Sequence, residues 1–121
     1  MKKRTWKARI RAATRGAGTY REFFDPVIDT LAGILEKRDL AEEEYQKAGG
    51  KALIRHTNKA GATNVELNPS LRLVNDLNRD ALAYWRDLGL TPAGLRKIDE
   101  AAMRPQKRSG LAEILADFAE E

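Results

Sequence analysis

A chain of 121 residues, 42% hydrophobic and 33% charged with a net charge of +4, carries apolar material for one modest domain with a small core. There is no cysteine and His56 is the single histidine, which excludes disulfides, thiolate metal sites, most zinc constellations and any His-paired nucleophile. No apolar run approaches the roughly 20 residues of a membrane span, and the charged N-terminus lacks the apolar centre of a signal peptide, so an intracellular protein with no membrane contact is expected.

Residues 1–18 form the first segment and hold Lys2, Lys3, Arg4, Lys7, Arg9, Arg11 and Arg15 with no acidic residue among them, so the rest of the chain is net acidic. Trp6, Ile10 and Ala13 recur at helical spacing, which predicts a short basic amphipathic helix ended by Gly16 and Gly18. So dense a like charge predicts order only when an anion is present.

Residues 19–103 read as a helical core. Thr19 and Glu22 form a possible capping box, and Asp25-Pro26 is a stronger start signal because proline suits the first helical position. Val27, Leu31, Ile34, Ala41 and Tyr45 then keep helical spacing, Ile28 and Leu35 widen the stripe, and Gly49-Gly50 supplies the stop. The next stretch changes period: a polar "NKAG" turn between β-branched residues predicts a β-hairpin over about 52–57 and 62–67. A lone hairpin is marginal in water, so it needs helices or another subunit to pack on.

Asn68-Pro69 repeats the cap-and-proline logic and opens a helix to residue 88, with Leu71, Val74, Leu77, Ala81, Trp85 and Leu88 on one face. After the turn Leu88-Gly89-Leu90, Thr91-Pro92 starts a shorter helix through about Ala102, in which Leu95 and Ile98 face the core. Residues 104–121 divide into a linker (104–110) and an acidic amphipathic tail, where Ser109 caps a last helix carrying Leu111, Ile114, Leu115 and Phe118. The fold class is therefore mainly α: a long antiparallel helical hairpin (26–48 and 69–88) with one small β-hairpin insertion and a short C-terminal helix.

The chemistry is sparse. "AGGKA" ends like a phosphate loop, but Tyr45 stands where the Walker pattern requires its earlier glycine, and a Gly-Gly helix cap explains the stretch. Asp25 and Asp29, like Asp76 and Asp80, are four apart, as the carboxylates of a Mg²⁺-dependent nuclease could be. Charge pairing on an exposed helix face is the ordinary explanation. No catalytic residue, cofactor site or metal site is assigned. Nucleic-acid binding fares better, because seven cations in eighteen residues suffice to neutralise several phosphates, although no base-reading set is present. The stretch "RDLGLTPAGLRKI" has the outline of a helix-turn-helix over 86–102. Its second helix offers Arg96 and Lys97 against Asp99 and Glu100, and its first turn, Pro92-Ala93-Gly94, has no side chain for a base edge.

In order and spacing, "FDPVIDTLAGILEKRD", the Gly-Gly break, a hairpin ending in "NP", a long helix and "LGLTPAGLRKI" resemble the small subunit of phage terminases. The likeness is to the short small-terminase family of tailed double-stranded DNA phages, and it covers roughly residues 19–103. Its strongest pieces are Asn68-Pro69 and Leu88-Gly89-Leu90-Thr91-Pro92.

The resemblance implies a non-catalytic packaging subunit in the cytoplasm of an infected bacterial host. Such a subunit forms a homo-oligomeric ring, binds viral double-stranded DNA and presents it to a large ATPase-nuclease subunit. Asp25-Pro26, Asn68-Pro69 and Thr91-Pro92 map onto helix starts, and no base-contacting set is carried over. The DNA-binding assignment to Lys2, Lys3, Arg4, Lys7, Arg9, Arg11 and Arg15 thus rests on charge. Leu111, Ile114, Leu115 and Phe118 are the candidate face for the large subunit, with a disordered, solvated tail as the alternative. Two other functions stay open: a transcription regulator using 86–102 as a helix-turn-helix, and an adaptor whose basic head binds an acidic protein.

Overall fold

A computed structural model of the chain describes residues 1–103. The central element is α2 (Asp25–Lys47), which carries Pro26 in its first turn. Its buried positions are Ile28, Leu31, Ala32, Leu35, Ala41 and Tyr45. The stripe is rotated from the one centred on Val27 and Ile34, both of which are half-buried. The reason is that α2 is covered from two sides, by α1 (Lys3–Ala17) and by α3 (Pro69–Asp87), so its apolar arc faces the seam between them.

Both neighbours run antiparallel to α2. Arg11 near the end of α1 meets Asp25 at the start of α2, while Lys3 reaches Glu36 further along. On the other side Arg38 donates to Asn78, and the Thr19 hydroxyl just ahead of α2 donates to the Leu88 carbonyl after α3 at 2.7 Å. The core that results joins Ile10 of α1, Ile28, Leu31, Ala32 and Leu35 of α2, and Ala81 and Leu88 at the far end of α3. Residues 1–18 are therefore built into the same core as the rest of the described chain.

The ends of α2 show which local signals the packing kept. At its C-terminus Gly49 and Gly50 take φ of 106° and 64°, the Gly50 amide donates to the Tyr45 carbonyl, and the Tyr45 hydroxyl donates to the Gly50 carbonyl. "AGGKA" is a helix cap. At its N-terminus the Thr19–Glu22 capping box does not form. Glu22–Phe24 is a short 3₁₀ turn with no side-chain cap, because the Thr19 hydroxyl is turned toward Leu88 instead.

Between α2 and α3 lies the hairpin, β1 (Leu53–Thr57) and β2 (Thr63–Leu67), antiparallel with Leu53 opposite Leu67 and Thr57 opposite Thr63. Its loop is organised by Asn58, whose side-chain oxygen accepts from the amides of Ala60 and Ala62 at 3.0 Å. His56 lies in β1, exposed and opposite Asn64. Asn68 then caps α3 by accepting from the Ser70 amide.

The last described helix, α4 (Pro92–Met103), starts with the Thr91 hydroxyl oxygen accepting from the Gly94 amide at 3.0 Å. Two glycines let it cross the end of α3. Gly89 has φ 72°, and a Cβ there would lie 2.7 Å from Ile98 Cδ1. A Cβ at Gly94 would overlap the carbonyl oxygen of Arg86. Leu95 is half-buried as expected, whereas Ile98 stays 36% exposed at the rim. The linker 104–110 and the tail with Leu111, Ile114, Leu115 and Phe118 lie outside the described residues.

Candidate nucleic-acid interface

The basic residues assigned to DNA all sit on or beside α1, and packing sorts them into two groups. Ile10 and Thr14 are fully buried against the core, which fixes the rotation of the helix. Lys3, Lys7 and Arg11 follow at i, i+4 and i+8 along the edge that meets α2. There Lys3 Nζ lies 2.9 Å from Asp29, Lys7 Nζ lies 3.3 Å from both Asp25 and Asp29, and the Arg11 guanidinium grips Asp25 through two nitrogens at 2.8 Å. The two carboxylates respond in kind. Hydrogen bonds from Arg11 hold Asp25 below the usual carboxylate range, and those from Lys3 and Lys7 do the same for Asp29, each outweighing partial desolvation.

The start of α1 is held by α2 as well. No acidic residue stands in its first turn and Lys2 offers no side-chain cap. Instead the Glu36 carboxylate accepts from the Lys3 amide, placing a negative charge at the positive end of the helix dipole. Trp6 Nε1 donates to Asp39 at 2.7 Å, and the N-terminal ammonium sits 2.9 Å from the same carboxylate. Burial pushes Asp39 up, but the hydrogen bonds from the ammonium, Trp6 and Arg38 outweigh it, and the group is held below its ordinary value. The anion that orders this segment is thus inside the chain, a row of α2 carboxylates.

Lys2, Arg4, Arg9 and Arg15 remain exposed, and none has a carboxylate within ion-pair distance among the described residues. On the helical wheel Arg4 and Arg15 share one edge of the outward face and Arg9 takes the other, while Lys2 lies just ahead of the helix at its N-cap. Between them lie Thr5, Ala8 and Ala12, all exposed and small. Two guanidiniums are steadied by aromatic rings, Arg15 at 4.6 Å from the Tyr20 centroid and Arg9 at 6.0 Å from that of Trp6. The outcome is a preordered helix whose outward surface carries cations on both sides of a low ridge of small side chains.

Sequence reasoning recognised the cations and missed their partners. Asp25, Asp29, Glu36 and Asp39 return at i, i+4, i+11 and i+14 of α2, a spacing that puts them on one face. Set beside Lys3, Lys7 and Arg11 at the same helical spacing, that pattern was the available signal for two docked helices.

Elsewhere Glu43 is paired with Lys47 and Asp76 with Arg79, while Glu44 and Asp80 have no ion-pair partner among the described residues. Asp76 lies 3.7 Å from Arg79, and among the described residues no group of three or more His, Cys, Asp or Glu side chains could hold a metal ion. The helix-turn-helix stretch has a particular geometry too. The first turn of α4 is pressed on the Arg86 carbonyl at buried Gly94, and the outward residues Arg96, Lys97, Asp99 and Glu100 balance in charge. No described helix is long and apolar enough to cross a membrane. Compared with protein-family models, with curated proteins and with solved structures, the chain matches none of them.

Proposed function

We propose that this chain is a DNA-binding small terminase subunit, acting in the cytoplasm of an infected bacterial host as a homo-oligomeric ring. It presents double-stranded DNA to a large ATPase-nuclease subunit for genome packaging and carries out no catalysis of its own. The observation that carries the DNA-binding part is the outward face of α1, where Arg4, Arg9 and Arg15, with Lys2 at the N-cap, stand without carboxylate partners among the described residues on a helix already ordered by α2. Preordering removes the entropy cost of folding on contact, and phosphate contacts by side chains of this kind position a protein on a duplex without reading bases. The terminase part rests on the resemblance across residues 19–103. It is supported by the order of elements, a long helical pair interrupted by one hairpin and followed by the Thr91-capped helix.

Ring formation multiplies the four cations of each subunit, so weak contacts add through avidity. The regulator reading would place the first turn of α4 in a major groove, and that turn lies against α3. The test is duplex binding across a salt series for the native chain and for a variant with Lys2, Arg4, Arg9 and Arg15 changed to glutamine, beside the mass of the native chain in solution. A native chain that fails to bind duplex DNA, or a monomer at tens of micromolar, overturns the reading.

A further inference from the structure

The β-hairpin has unpaired strand edges and an uncovered apolar face. β1 and β2 pair only with each other, and no helix is laid across them among the described residues. Cross-strand pairing sets Leu53 opposite Leu67 and Arg55 opposite Val65, so Leu53, Arg55 and Val65 share one face of the sheet. Leu53 is 60% exposed and Val65 61%. A two-stranded sheet of five-residue strands gains little from its own cross-strand contacts in water, so a covered hairpin face is strongly favoured over a bare one.

A second apolar surface is bare on the same chain. The groove between the end of α2 and the start of α3 is lined by Leu40, Ala41, Leu73 and Leu77, with Lys37 toward one end and Glu44, two helical turns on, toward the other. Leu40 is 57% exposed and Leu73 50%. The Glu44 end of the groove is opposite in charge to the hairpin. Residues 51–67 hold Lys51, Arg55 and Lys59 against Glu66 alone, whereas α2 ends in the run Glu42-Glu43-Glu44. Glu43 is paired with Lys47, but among the described residues neither Glu44 nor Arg55 has an ion-pair partner.

We infer that the hairpin of one copy docks its Leu53–Arg55–Val65 face in the α2–α3 groove of a second copy, with Arg55 set against Glu44. This rests on the oligomeric reading above and names the surfaces that carry it. Apolar side chains fill the groove, and the charge pair sets the register and rejects a reversed approach. Because the two patches are different parts of one chain, the contact is heterologous. It repeats head to tail, and a suitable rotation closes it into a ring.

The test uses the full chain and light-scattering mass. Arg55→Glu alone and Glu44→Arg alone each place like charges face to face. Each is expected to raise the concentration for half-assembly roughly a hundredfold, the scale of a like-charge contact across an interface. The two variants mixed in equal amounts restore assembly, because each hairpin then finds an opposite charge in the other's groove. Arg55→Glu with Glu44→Arg in a single chain restores it as well.

Leu53→Ser with Val65→Ser removes the apolar part and abolishes assembly while helical circular dichroism is kept. Single reversals that assemble like the native chain overturn the inference, as does a mixture that stays dissociated. If Arg55→Glu weakens duplex binding and leaves the mass unchanged, the hairpin is a DNA contact and the interface is wrong. Duplex binding by the α1 cations is measured in the same samples. Loss of the interface with binding intact therefore leaves the DNA-binding reading standing, and a native chain that assembles but ignores duplex overturns only the latter.

Discussion

Changing Lys2, Arg4, Arg9 and Arg15 to glutamine removes the α1 cations that face outward and spares Lys3, Lys7 and Arg11, which face the carboxylates of α2. The salt dependence of duplex binding separates the two groups. Each phosphate neutralised contributes about 0.9 to the slope of log affinity against log salt, so the outward group contributes about 3.6 per engaged helix. All seven acting on phosphate would contribute about 6.3.

Between about 50 and about 200 mM salt, these slopes correspond to affinity losses of about 150-fold and about 6,000-fold for one engaged helix. Anisotropy of a labelled duplex over that range gives the slope directly. The comparison does not depend on how many helices are engaged. The quadruple variant should lose nearly the whole α1 contribution, while Lys7→Gln with Arg11→Gln leaves the slope within about one unit of native and lowers stability instead. A slope that falls as far in the Lys7–Arg11 pair as in the quadruple variant refutes the division drawn from the ion pairs.

The α1–α2 latch also predicts a pH dependence. Asp25 and Asp29 are held below the ordinary carboxylate value of about 3.9 by hydrogen bonds from Arg11 and Lys3, so the folded state binds fewer protons than the unfolded one in that region. Their contribution is whole above the unfolded value and disappears as pH falls through the depressed folded value. Urea midpoints should be level from pH 7 to about 5 and drop below about 4, with the drop reduced in Asp25→Asn plus Asp29→Asn. An unchanged acid limb in that double variant would contradict the latch.

Ile10→Ala empties a fully buried site shared by α1 and α2 and should cost about 2–5 kcal/mol in urea unfolding, still in one transition. A separate early transition would mean that α1 is not part of the core. Gly94→Ala collides with the Arg86 carbonyl and should destabilise by about 1–3 kcal/mol or more, whereas Gly16→Ala meets open space near the end of α1 and should be neutral or stabilising by up to about 1 kcal/mol. Equal effects at the two glycines would refute the close crossing of α4 over α3.

Much of the fold was legible because its signals are local. Pro26, Asn68-Pro69 and Thr91-Pro92 act within one helical turn, and the observed starts of α2, α3 and α4 follow them. Gly49-Gly50 and the Asn58 loop are equally short-range, so the stop of α2 and the hairpin were readable as well. Thr19 was misread because two partners compete for one hydroxyl. The local capping box lost to the Leu88 carbonyl, a neighbour 69 residues away in sequence.

The basic segment shows the same division most clearly. Its composition determines that α1 is cationic, and periodicity determines that Ile10 faces inward. The sequence by itself also set the class of the molecule, mainly helical with one hairpin. Which cations remain available to a ligand depends on where α2 lies, and that is decided only when Asp25, Asp29, Glu36 and Asp39 are brought against α1. The crossing of α4 over α3 and the uncovered faces of the hairpin and the groove likewise belong to the tertiary structure. Hydrogen-bond caps and turn glycines act over a few residues, whereas burial and ion pairing depend on which surfaces meet, and the chain settles that only when its core closes.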